Sequence, residues 1–355
     1  MRRLRVLHLD SGASWRGGQR QVLLLALGLR ARGHEPLLIA PPDSPLVRRA
    51  RGAGLAVASI AMRGDWDVAA ARRIRARMRA WRADVIHAHD ARAHAIALMA
   101  LIGQRETPLI VTRRVPFTPK SVRVKYGERV TRFIAVSRAV RDAMVGGGIP
   151  PSRIDVVHSG IASRSEPVVP RDWRAELGWP ADAVVCGVVG AMTAEKGIDS
   201  LVEIAAALSP TAGSRARILL IGGGGASRGP GKISVEIKAA GFIDDVDPAI
   251  AGLDVLWHPS RAEGLGTAVI DAMSLGVPPV AFAVGGLPEV IEDEVSGFLV
   301  PPANTTAFAK AASRLIEDAA LRESVGAAAI ARARSFDADT MTLRTESVYQ
   351  RVLSG

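Results

Sequence analysis

The chain contains little cysteine, few aromatic residues and no long apolar segment. Cys186 is the single cysteine among 355 residues, which excludes an internal disulfide framework and a cysteine metal cluster. Only 4% of the residues are aromatic, so aliphatic side chains must fill the core. No segment approaches the ~18 consecutive apolar residues that a membrane-spanning helix needs. We therefore expect a cytoplasmic, globular chain in which Cys186 lies buried.

The amino terminus does not have the sequence pattern of a signal peptide. Its arginines precede an apolar run of only about five residues, which is too short for the apolar region of a signal peptide. The run from Leu4 to Leu9 instead predicts a buried first strand.

Positive charge is concentrated in the first half of the chain. Residues 1–150 hold 28 Lys and Arg against 10 Asp and Glu, a difference of +18, whereas residues 171–355 hold 16 against 23, a difference of −7. A basic half favours an anionic partner such as a membrane surface, a phosphorylated acceptor or nucleic acid. An arginine-rich composition without any such partner is the alternative.

Short apolar runs alternate with segments of helical period, which is typical of parallel sheets with crossover helices. We expect strands at Leu4–Leu9, Pro36–Ala40, Val57–Ala61, Val85–His87, Leu109–Thr112, Phe133–Val136, Ile154–His158, Val184–Val189, Ile218–Ile221, Gly241–Ile243, Val255–Trp257, Val280–Phe282 and Phe298–Val300. We expect the longer helices at Gln19–Arg32, Asp67–Arg82, Ala91–Ile102, Arg138–Val145, Thr306–Asp318, Ala320–Ser335 and Asp337–Leu353. A polar, proline-containing stretch at 160–170 interrupts this alternation, so two α/β domains of similar size are predicted.

The segment from His258 to Gly286 holds the strongest chemical signal. An apolar strand meets a turn rich in glycine and proline, and a helix then runs to Gly276. Backbone N–H groups at such a junction favour phosphate. The carboxylates of Glu263 and Asp271, eight residues apart, can accept hydrogen bonds from sugar hydroxyls. The combination predicts a nucleotide-sugar site.

Two other junctions are rich in glycine. Gly17 and Gly18 stand near the predicted start of the first helix, where the backbone can approach a phosphate or a sugar closely. An ordinary turn between a strand and a helix is the alternative there. Gly222 and Gly223 follow another predicted strand, but the residues after them do not match the dinucleotide fingerprint.

His87 and His89 lie at the end of a predicted strand, the place where parallel sheets bind ligands. An imidazole there can hydrogen-bond sugar hydroxyls or move a proton near neutral pH. The position of His89 favours a functional role, whereas His87 is expected to support the strand end.

Five places, in the same order along the chain, resemble glycosyltransferase family 4, the retaining, nucleotide-sugar-dependent enzymes of GT-B fold. They are residues 12–19, 84–90, 190–197, 220–247 and 258–286. The resemblance implies an α/β GT-B fold with two Rossmann-like β/α/β domains that face a central cleft. Residues 1–162 would form the acceptor-side domain and residues 163–336 the nucleotide-sugar domain. Residues 337–355 would form a helix that crosses back to the first domain.

The resemblance also implies roles for individual residues. His89 takes the position of the family's active-site histidine, Lys196 contacts the donor diphosphate, and Glu263 contacts the transferred sugar. Asp271 binds the ribose in place of a family glutamate that is one methylene longer. The remaining expected donor-site residues are Gly17, Gly18, Gly222, Gly223, Phe242, Gly264, Leu265 and Gly266.

One departure from the family pattern concerns the diphosphate. Relatives often place an arginine just after Gly190, where this chain has Ala191 and Met192. The diphosphate therefore has one expected cation fewer, and four arginines elsewhere are candidates to replace it: Arg16, Arg113, Arg114 and Arg261.

No metal and no other cofactor are predicted. Asp245 and Asp247 match the Asp-x-Asp pattern that holds Mg²⁺ or Mn²⁺ in the single-domain glycosyltransferase fold, GT-A. An aspartate that caps the following helix is the simpler interpretation. The rest of the sequence offers no carboxylate or histidine cluster with metal-ligand spacing.

The expected partners are a nucleotide-sugar donor and a cell-envelope, lipid-linked or polysaccharide acceptor. The basic segment from Thr112 to Arg132, with Phe117 and Tyr126 within it, suits an anionic membrane surface or a phosphorylated acceptor. A solvated basic surface is the alternative. Two scattered aromatic residues make a poor stacking platform, so nucleic acid is disfavoured.

Two other functions remain open at this point. One is a sugar-nucleotide epimerase or a phosphorylase of the same fold. The other is a peripheral membrane or nucleic-acid-binding protein with a degenerate site, which the missing arginine and the shortened acid at Asp271 would support.

Overall fold

The computed structural model describes residues 2–116, 125–164, 166–223 and 235–354. The chain divides into two compact units, of which the first comprises Met1–Ala162 and Asp337–Gly355 and the second Ser163–Phe336. Each unit is built on a parallel sheet with helices in the connections, so the predicted α/β class with two Rossmann-like domains is confirmed.

The sheet of the first unit has seven described strands in the order β3-β2-β1-β4-β5-β6-β7. They are β1 (Arg5–Leu9), β2 (Glu35–Ala40), β3 (Ala56–Ser59), β4 (Val85–Ala88), β5 (Leu109–Arg113), β6 (Arg132–Ala135) and β7 (Ile154–Val156). The central strands β1, β4 and β5 are buried almost throughout, as expected of strands covered on both faces.

The described helices of the first unit differ in how they begin, since the first follows Arg16 without a side-chain cap and the next four have one. Before the last helix of the chain, they are α1 (Gly17–Ala31), α2 (Pro45–Gly52), α3 (Val68–Trp81), α4 (Ala91–Ala100) and α5 (Arg138–Gly146). The side chains of Ser44, Asp67, Asp90 and Ser137 cap α2 to α5. The sequence patterns did not predict α2, although Ser44 followed by Pro45 is a helix-start signal.

The second unit has six described strands in the order β10-β9-β8-β11-β12-β13. They are β8 (Val184–Val189), β9 (Ala216–Ile221), β10 (Glu236–Gly241), β11 (Val255–His258), β12 (Pro279–Phe282) and β13 (Phe298–Val300). Cys186 is fully buried in β8, as predicted, and burial raises the pKa of its thiol. The prediction of a strand at Gly241–Ile243 was wrong, because β10 ends where that prediction began.

The helices of the second unit are α6 (Trp173–Leu177), α7 (Leu201–Ala206), α8 (Pro210–Arg215), α9 (Asp247–Ala251), α10 (Thr267–Ser274), α11 (Leu287–Val290), α12 (Thr305–Glu317) and α13 (Ala319–Ala333). The expected aspartate cap of α9 is absent, since Val246 occupies the cap position without a side-chain hydrogen bond. Asp247 instead accepts a hydrogen bond from Arg164 Nε at 2.8 Å.

The last helix, α14 (Ala338–Ser354), packs on α1 in the first unit. A Cβ on Gly28 of α1 would lie 2.3 Å from Thr342 Oγ1, so only glycine allows this close approach. Val348 and Tyr349 are buried in the same core as Leu4, which precedes β1, and Val6, which lies within it. The carboxyl-terminal helix is therefore a structural part of the first unit.

Candidate functional site

Lys196 and Glu263 lie beyond the carboxyl ends of two neighbouring strands of the second unit. Lys196 ends a short 3-10 turn (Ala194–Lys196) that follows β8, and Glu263 follows β11. Because β8 and β11 pair in parallel, the segments that leave them start at the same edge of the sheet. Two residues that are far apart in sequence therefore meet in one place.

The Glu263 carboxylate is held by three donors. Lys196 Nζ forms an ion pair with Oε2, and His258 Nε2 lies 2.9 Å from the same oxygen. The backbone N–H of Gly264 donates to Oε1 at 3.2 Å. Ser260 Oγ lies 3.1 Å from His258 Nε2, which helps to fix the ring. These donors together fix the orientation of the carboxylate.

The electrostatics of this cluster keep Glu263 ionised. Burial acts to raise the pKa of Glu263, but the hydrogen bond from His258 and the charge of Lys196 outweigh it and lower that pKa to about 2. Burial also lowers the pKa of His258, against the opposite effect of Glu263. His258 is therefore neutral and donates its Nε2–H, and Lys196 supplies the compensating charge.

Glycine backbone forms the surroundings of the carboxylate and of the strand ends. A Cβ on Gly285, which has a φ of +54°, would lie 1.7 Å from the carbonyl oxygen of Glu263. A Cβ on Gly222, which has a φ of +150°, would lie 1.7 Å from the carbonyl oxygen of Gly190. Only glycine permits these approaches. Backbone atoms of glycine residues therefore line the site, and a ligand can approach them closely.

Helix α10 begins beside Glu263 without a side-chain cap. Gly266 occupies the cap position with a φ of +92°, and the first turn contains no acidic residue. Such a helix start suits an anion. Gly264, Leu265 and Gly266 are buried, and the amide of Gly264 is already engaged by Glu263.

Asp271 does not lie on a solvated helix face. It is 4% exposed, and its neighbours Val269, Ile270, Ala272 and Met273 are buried as well. The acid therefore sits inside the unit, where a shorter side chain needs less space.

Phe242 is placed just after β10 and is 59% exposed, unlike most aromatic rings of this chain. A Cβ on Gly223 would lie 3.8 Å from Phe242 Cβ, so these two predicted donor-site residues are adjacent. An exposed ring beside a glycine backbone can pack against the face of a nucleobase.

The predicted residues of the first unit gather at the carboxyl ends of β1 and β4. Asp10 accepts hydrogen bonds from the N–H of Gly12 at 2.9 Å and from Gln19 Nε2 at 3.0 Å, which fixes the turn before α1. Burial raises the pKa of Asp10, and nearby Asp90 adds to the effect. Gly18 lies next to Arg114, whose Cδ would be 3.7 Å from a Cβ at that glycine.

Three buried histidines come together on one side of the same sheet. His8 of β1 is in register with His87 of β4, and His89 lies two residues further on. One ring nitrogen from each of the three lies within 4.8 Å of those of the others. His8 Nδ1 and His89 Nε2 are 3.0 Å apart, and Arg114 Nη2 is 3.5 Å from His89 Nδ1.

This arrangement raises the question of a metal centre, which the sequence had not suggested. The residues do not fit one. His87 Nδ1 is 2.6 Å from the Tyr349 hydroxyl and His87 Nε2 is 2.6 Å from Thr112 Oγ1, so both of its nitrogens are engaged. The cationic Arg114 beside His89 would also repel a divalent ion. The cluster is better described as a network of neutral, hydrogen-bonded imidazoles.

The four arginines considered as a supplement to Lys196 do not all lie in the same unit. Arg261 shares the second unit with Lys196, and it forms an ion pair with Asp199. Arg16, Arg113 and Arg114 belong to the first unit.

Parts of two predicted segments lie outside the described residues, namely Phe117, Lys120 and Arg123 of the basic segment and residues 224–230 of the glycine loop.

Sequence reasoning missed three residues that the structure brings into the two sites. His258 and Ser260 stand at the end of β11 within the segment singled out for Glu263, so their proximity in sequence was the available signal. His8 had no such signal, because its contact with His89 depends on the pairing of β1 with β4.

Two family models match the chain, one in each unit. The model described as Glycosyltransferase Family 4 matches residues 15–164, and the model described as Glycosyl transferases group 1 matches residues 183–318.

Among curated proteins, the chain is similar to enzymes named D-inositol 3-phosphate glycosyltransferase. The protein of Streptomyces griseus is 34% identical over 197 residues, which cover 51% of this chain and 42% of the relative. That of Actinosynnema mirum is 33% identical over 229 residues, which cover 59% and 55%. The chain thus spans about half the length of the curated relatives it matches.

Solved structures share the fold over nearly the full chain. A glycosyltransferase from Rickettsia africae superimposes with a TM-score of 0.83 at 18% identity, covering 99% of both chains. The HepE protein of Anabaena, crystallised with UDP and glucose, gives a TM-score of 0.81 at 20% identity, covering 98% of this chain and 100% of that one. The family itself follows from the two sequence models, and the chain belongs to glycosyltransferase family 4.

Proposed function

We propose that this protein transfers a sugar from a nucleotide-sugar donor to an acceptor hydroxyl, with retention of anomeric configuration and without a metal ion. The observation that carries the proposal is the contact between Lys196 and Glu263 beyond the ends of β8 and β11. A compact cation suits a diphosphate, and a carboxylate suits sugar hydroxyls. The name of the curated relatives and the UDP-bound relative of the same fold support the same class of reaction.

Lys196 has the central role in donor binding. Its ammonium group pairs with Glu263 in the structure, so a bound diphosphate would compete with that carboxylate for the lysine. Glu263 would keep the hydrogen bond from His258 after this exchange and remain ionised. The uncapped start of α10 adds partial positive charge for the departing diphosphate.

The reaction itself breaks the bond between the anomeric carbon and the diphosphate oxygen. The acceptor oxygen then bonds to that carbon on the side from which the diphosphate leaves, which retains the configuration, and the proton of the acceptor hydroxyl passes to the departing diphosphate. Glu263 orients the sugar hydroxyls and is not assigned as a nucleophile, since its carboxylate is already fixed by His258 and Gly264. Asp271 would bind the ribose, and Phe242 would lie against the base.

The test is a set of thermal-unfolding measurements with UDP-, GDP- and ADP-sugars on the wild type, on Lys196→Ala and on Lys310→Ala. Lys310 is an exposed residue of α12 and serves as the matched control. We expect one nucleotide class to raise the unfolding temperature of the wild type and the control but not of Lys196→Ala. Absence of stabilisation across the whole panel would contradict the proposed function.

We further propose an anionic acceptor from the cell envelope, either lipid-linked or a polysaccharide, and contact with the cytoplasmic face of the membrane. Helix α3 of the first unit provides a suitable surface. Its apolar side (Ala70, Ala71, Ile74 and Met78) is buried, and its outer side exposes arginines with no acid between Asp67 and Asp84. The exposed arginines of this surface are Arg72, Arg73, Arg77, Arg79 and Arg82.

Two further features favour a lipid surface for α3. Trp66, just before the helix, is 78% exposed, and Val68 in its first turn is 52% exposed. A tryptophan beside arginines is typical of proteins that dock at the membrane interface. Within the described ranges, no helix has the length and hydropathy to cross a bilayer.

Co-sedimentation with phosphatidylglycerol-containing and neutral vesicles tests this surface. We expect binding to the anionic vesicles that weakens with salt. The double substitution of Arg72 and Arg77 by Gln should reduce it by about thirtyfold, since each charge contributes about 1 kcal/mol. The same substitution at Arg334 and Arg344 removes equal charge elsewhere and should leave the binding to anionic vesicles unchanged. Equal losses in both variants would contradict a role specific to α3.

A further inference from the structure

The contact between His8 and His89 has a direction that the surrounding groups determine. Arg114 Nη2 lies 3.5 Å from His89 Nδ1, and a guanidinium group can only donate hydrogen bonds. His89 Nδ1 must therefore present its lone pair, and the proton of a neutral His89 resides on Nε2. That N–H points at His8 Nδ1, 3.0 Å away. His8 Nδ1 is then the acceptor, and His8 carries its own proton on Nε2.

The opposite direction would place donors face to face. If His8 donated to His89, the proton of His89 would sit on Nδ1 and point at the guanidinium. A protonated His89 would place a second cation beside Arg114 in a buried position. Burial lowers the pKa of His89 well below its ordinary value, and the positive charge of Arg114 adds to the effect, in agreement with a neutral ring.

We propose that His8 is a positioning residue, which holds His89 as the Nε2–H tautomer and thereby keeps its Nδ1 lone pair directed at Arg114. His89 then acts as a neutral hydrogen-bonding group, and Arg114 bears the charge at this end of the first sheet. The effect on turnover rests on the proposed transferase function, whereas the tautomer does not depend on it.

His8 carries a feature that a residue kept for stability alone would not need. Its Nε2 is buried and makes no hydrogen bond among the described residues. A buried N–H without a partner lowers stability. Replacement of His8 by leucine should therefore leave the unfolding temperature unchanged or raise it. The same change should release the ring of His89, so stability and turnover should move in different directions.

The experiment uses ¹⁵N-histidine-labelled full-length protein and long-range ¹H–¹⁵N spectra, with the signals of His89 assigned through His89→Gln. We expect His89 to be neutral and in the Nε2–H form from pH 6 to 8. In His8→Leu this single form should be lost, and kcat should fall about tenfold with the KM for the donor unchanged. In His8→Asn, the side-chain oxygen can replace the lone pair of Nδ1. The Nε2–H form of His89 and the kcat should therefore both recover.

His94→Leu is the matched control, because it removes another buried histidine of the same unit that lies outside the network. It should leave the spectrum of His89 unchanged. A His89 that is protonated on Nδ1, that titrates near pH 6.5, or that keeps its spectrum in His8→Leu would overturn the proposal. If the tautomers are as expected while no nucleotide sugar binds the protein, the transferase function fails and the positioning by His8 stands.

Discussion

The two units place polar side chains at the same end of the same kind of sheet, yet they treat charge in opposite ways. In the second unit, Glu263 and Lys196 are both ionised and compensate each other. In the first unit, burial keeps His8 and His89 neutral. An ion pair can exchange one partner for a charged ligand, whereas a neutral hydrogen-bond network fixes orientation. The fold provides the position, and the immediate environment of each side chain determines its chemical role.

The largest expected effect comes from the removal of charge in the second unit. Glu263→Gln keeps the size of the side chain but loses the carboxylate that orients the donor sugar. We expect kcat/KM for sugar transfer to fall by about 10²–10³-fold, as for other groups that act on developing charge. Glu294→Gln, which removes an exposed acid paired with Arg314, is the control and should behave like the wild type. A loss of less than threefold would contradict the role of Glu263.

A backbone change near Glu263 should disturb the same site through geometry alone. Gly285→Ala would place a Cβ 1.7 Å from the carbonyl oxygen of Glu263 at a φ of +54°. We expect the free energy of unfolding to fall by about 2–4 kcal/mol, measured by urea denaturation. Gly213→Ala is the control, since nothing lies within 4 Å of the added methyl group. Equal stability of the two variants would show that the Gly285 segment does not constrain Glu263.

The pH dependence of stability should separate the neutral histidines from the ionised acid. Burial lowers the pKa of His8 to about 3, so the unfolded chain binds a proton below pH 6.5 that the folded chain does not. His8 should therefore cost about 1.4 kcal/mol of stability per pH unit between pH 6 and 4. His8→Leu should remove that slope, which urea denaturation at several pH values measures. An unchanged slope would mean that His8 is already charged in the folded protein.

Glu263 should show the opposite behaviour in the same experiment. Its pKa is about 2 in the folded protein, below the unfolded value, so its stabilising contribution is present above about pH 4.3 and is lost as the pH falls towards 2. The stability difference between the wild type and Glu263→Gln should be constant from pH 7 to 5 and shrink below pH 4. A difference that grows as the pH falls from 7 to 5 would point to a protonated His258, and not Lys196, as the group that balances the charge.

The smallest expected effect concerns the shortened acid. Asp271→Glu restores the family's residue, but it adds a methylene group at a position that is 4% exposed. We expect a loss of about 1–2 kcal/mol in the free energy of unfolding, because the buried side chains around the added methylene group must move. Asp199→Glu, at an exposed acid, is the control. A stability equal to that of the wild type would show that space for the longer acid already exists.

Much of the fold could be predicted because buried parallel strands are short apolar runs. The strand Val184–Val189 was predicted with its correct bounds for this reason. The strand Glu236–Gly241 was missed because it is an edge strand without buried residues, so it lacks such a run. Helix α2 was missed because its periodic segment is only eight residues long.

The candidate site could be predicted only where its members lie on a recognisable segment. Lys196 and Glu263 were identified by resemblance, but their contact and its dependence on His258 follow from the pairing of β8 with β11. The contact of His8 with His89 likewise requires the register between β1 and β4. The pairing of strands that are distant along the chain cannot be inferred from a single sequence.

The most direct test of the account is the calorimetric binding of UDP, or of the nucleoside diphosphate that the donor panel selects, to the wild type, Lys196→Ala and Glu263→Gln. Because Lys196 pairs with Glu263 in the structure, Glu263→Gln should release the lysine and bind the diphosphate at least as tightly as the wild type. Lys196→Ala should bind it at least tenfold more weakly, a difference of about 1.4 kcal/mol. Equal affinity of Lys196→Ala and the wild type would contradict the exchange of Glu263 for the diphosphate.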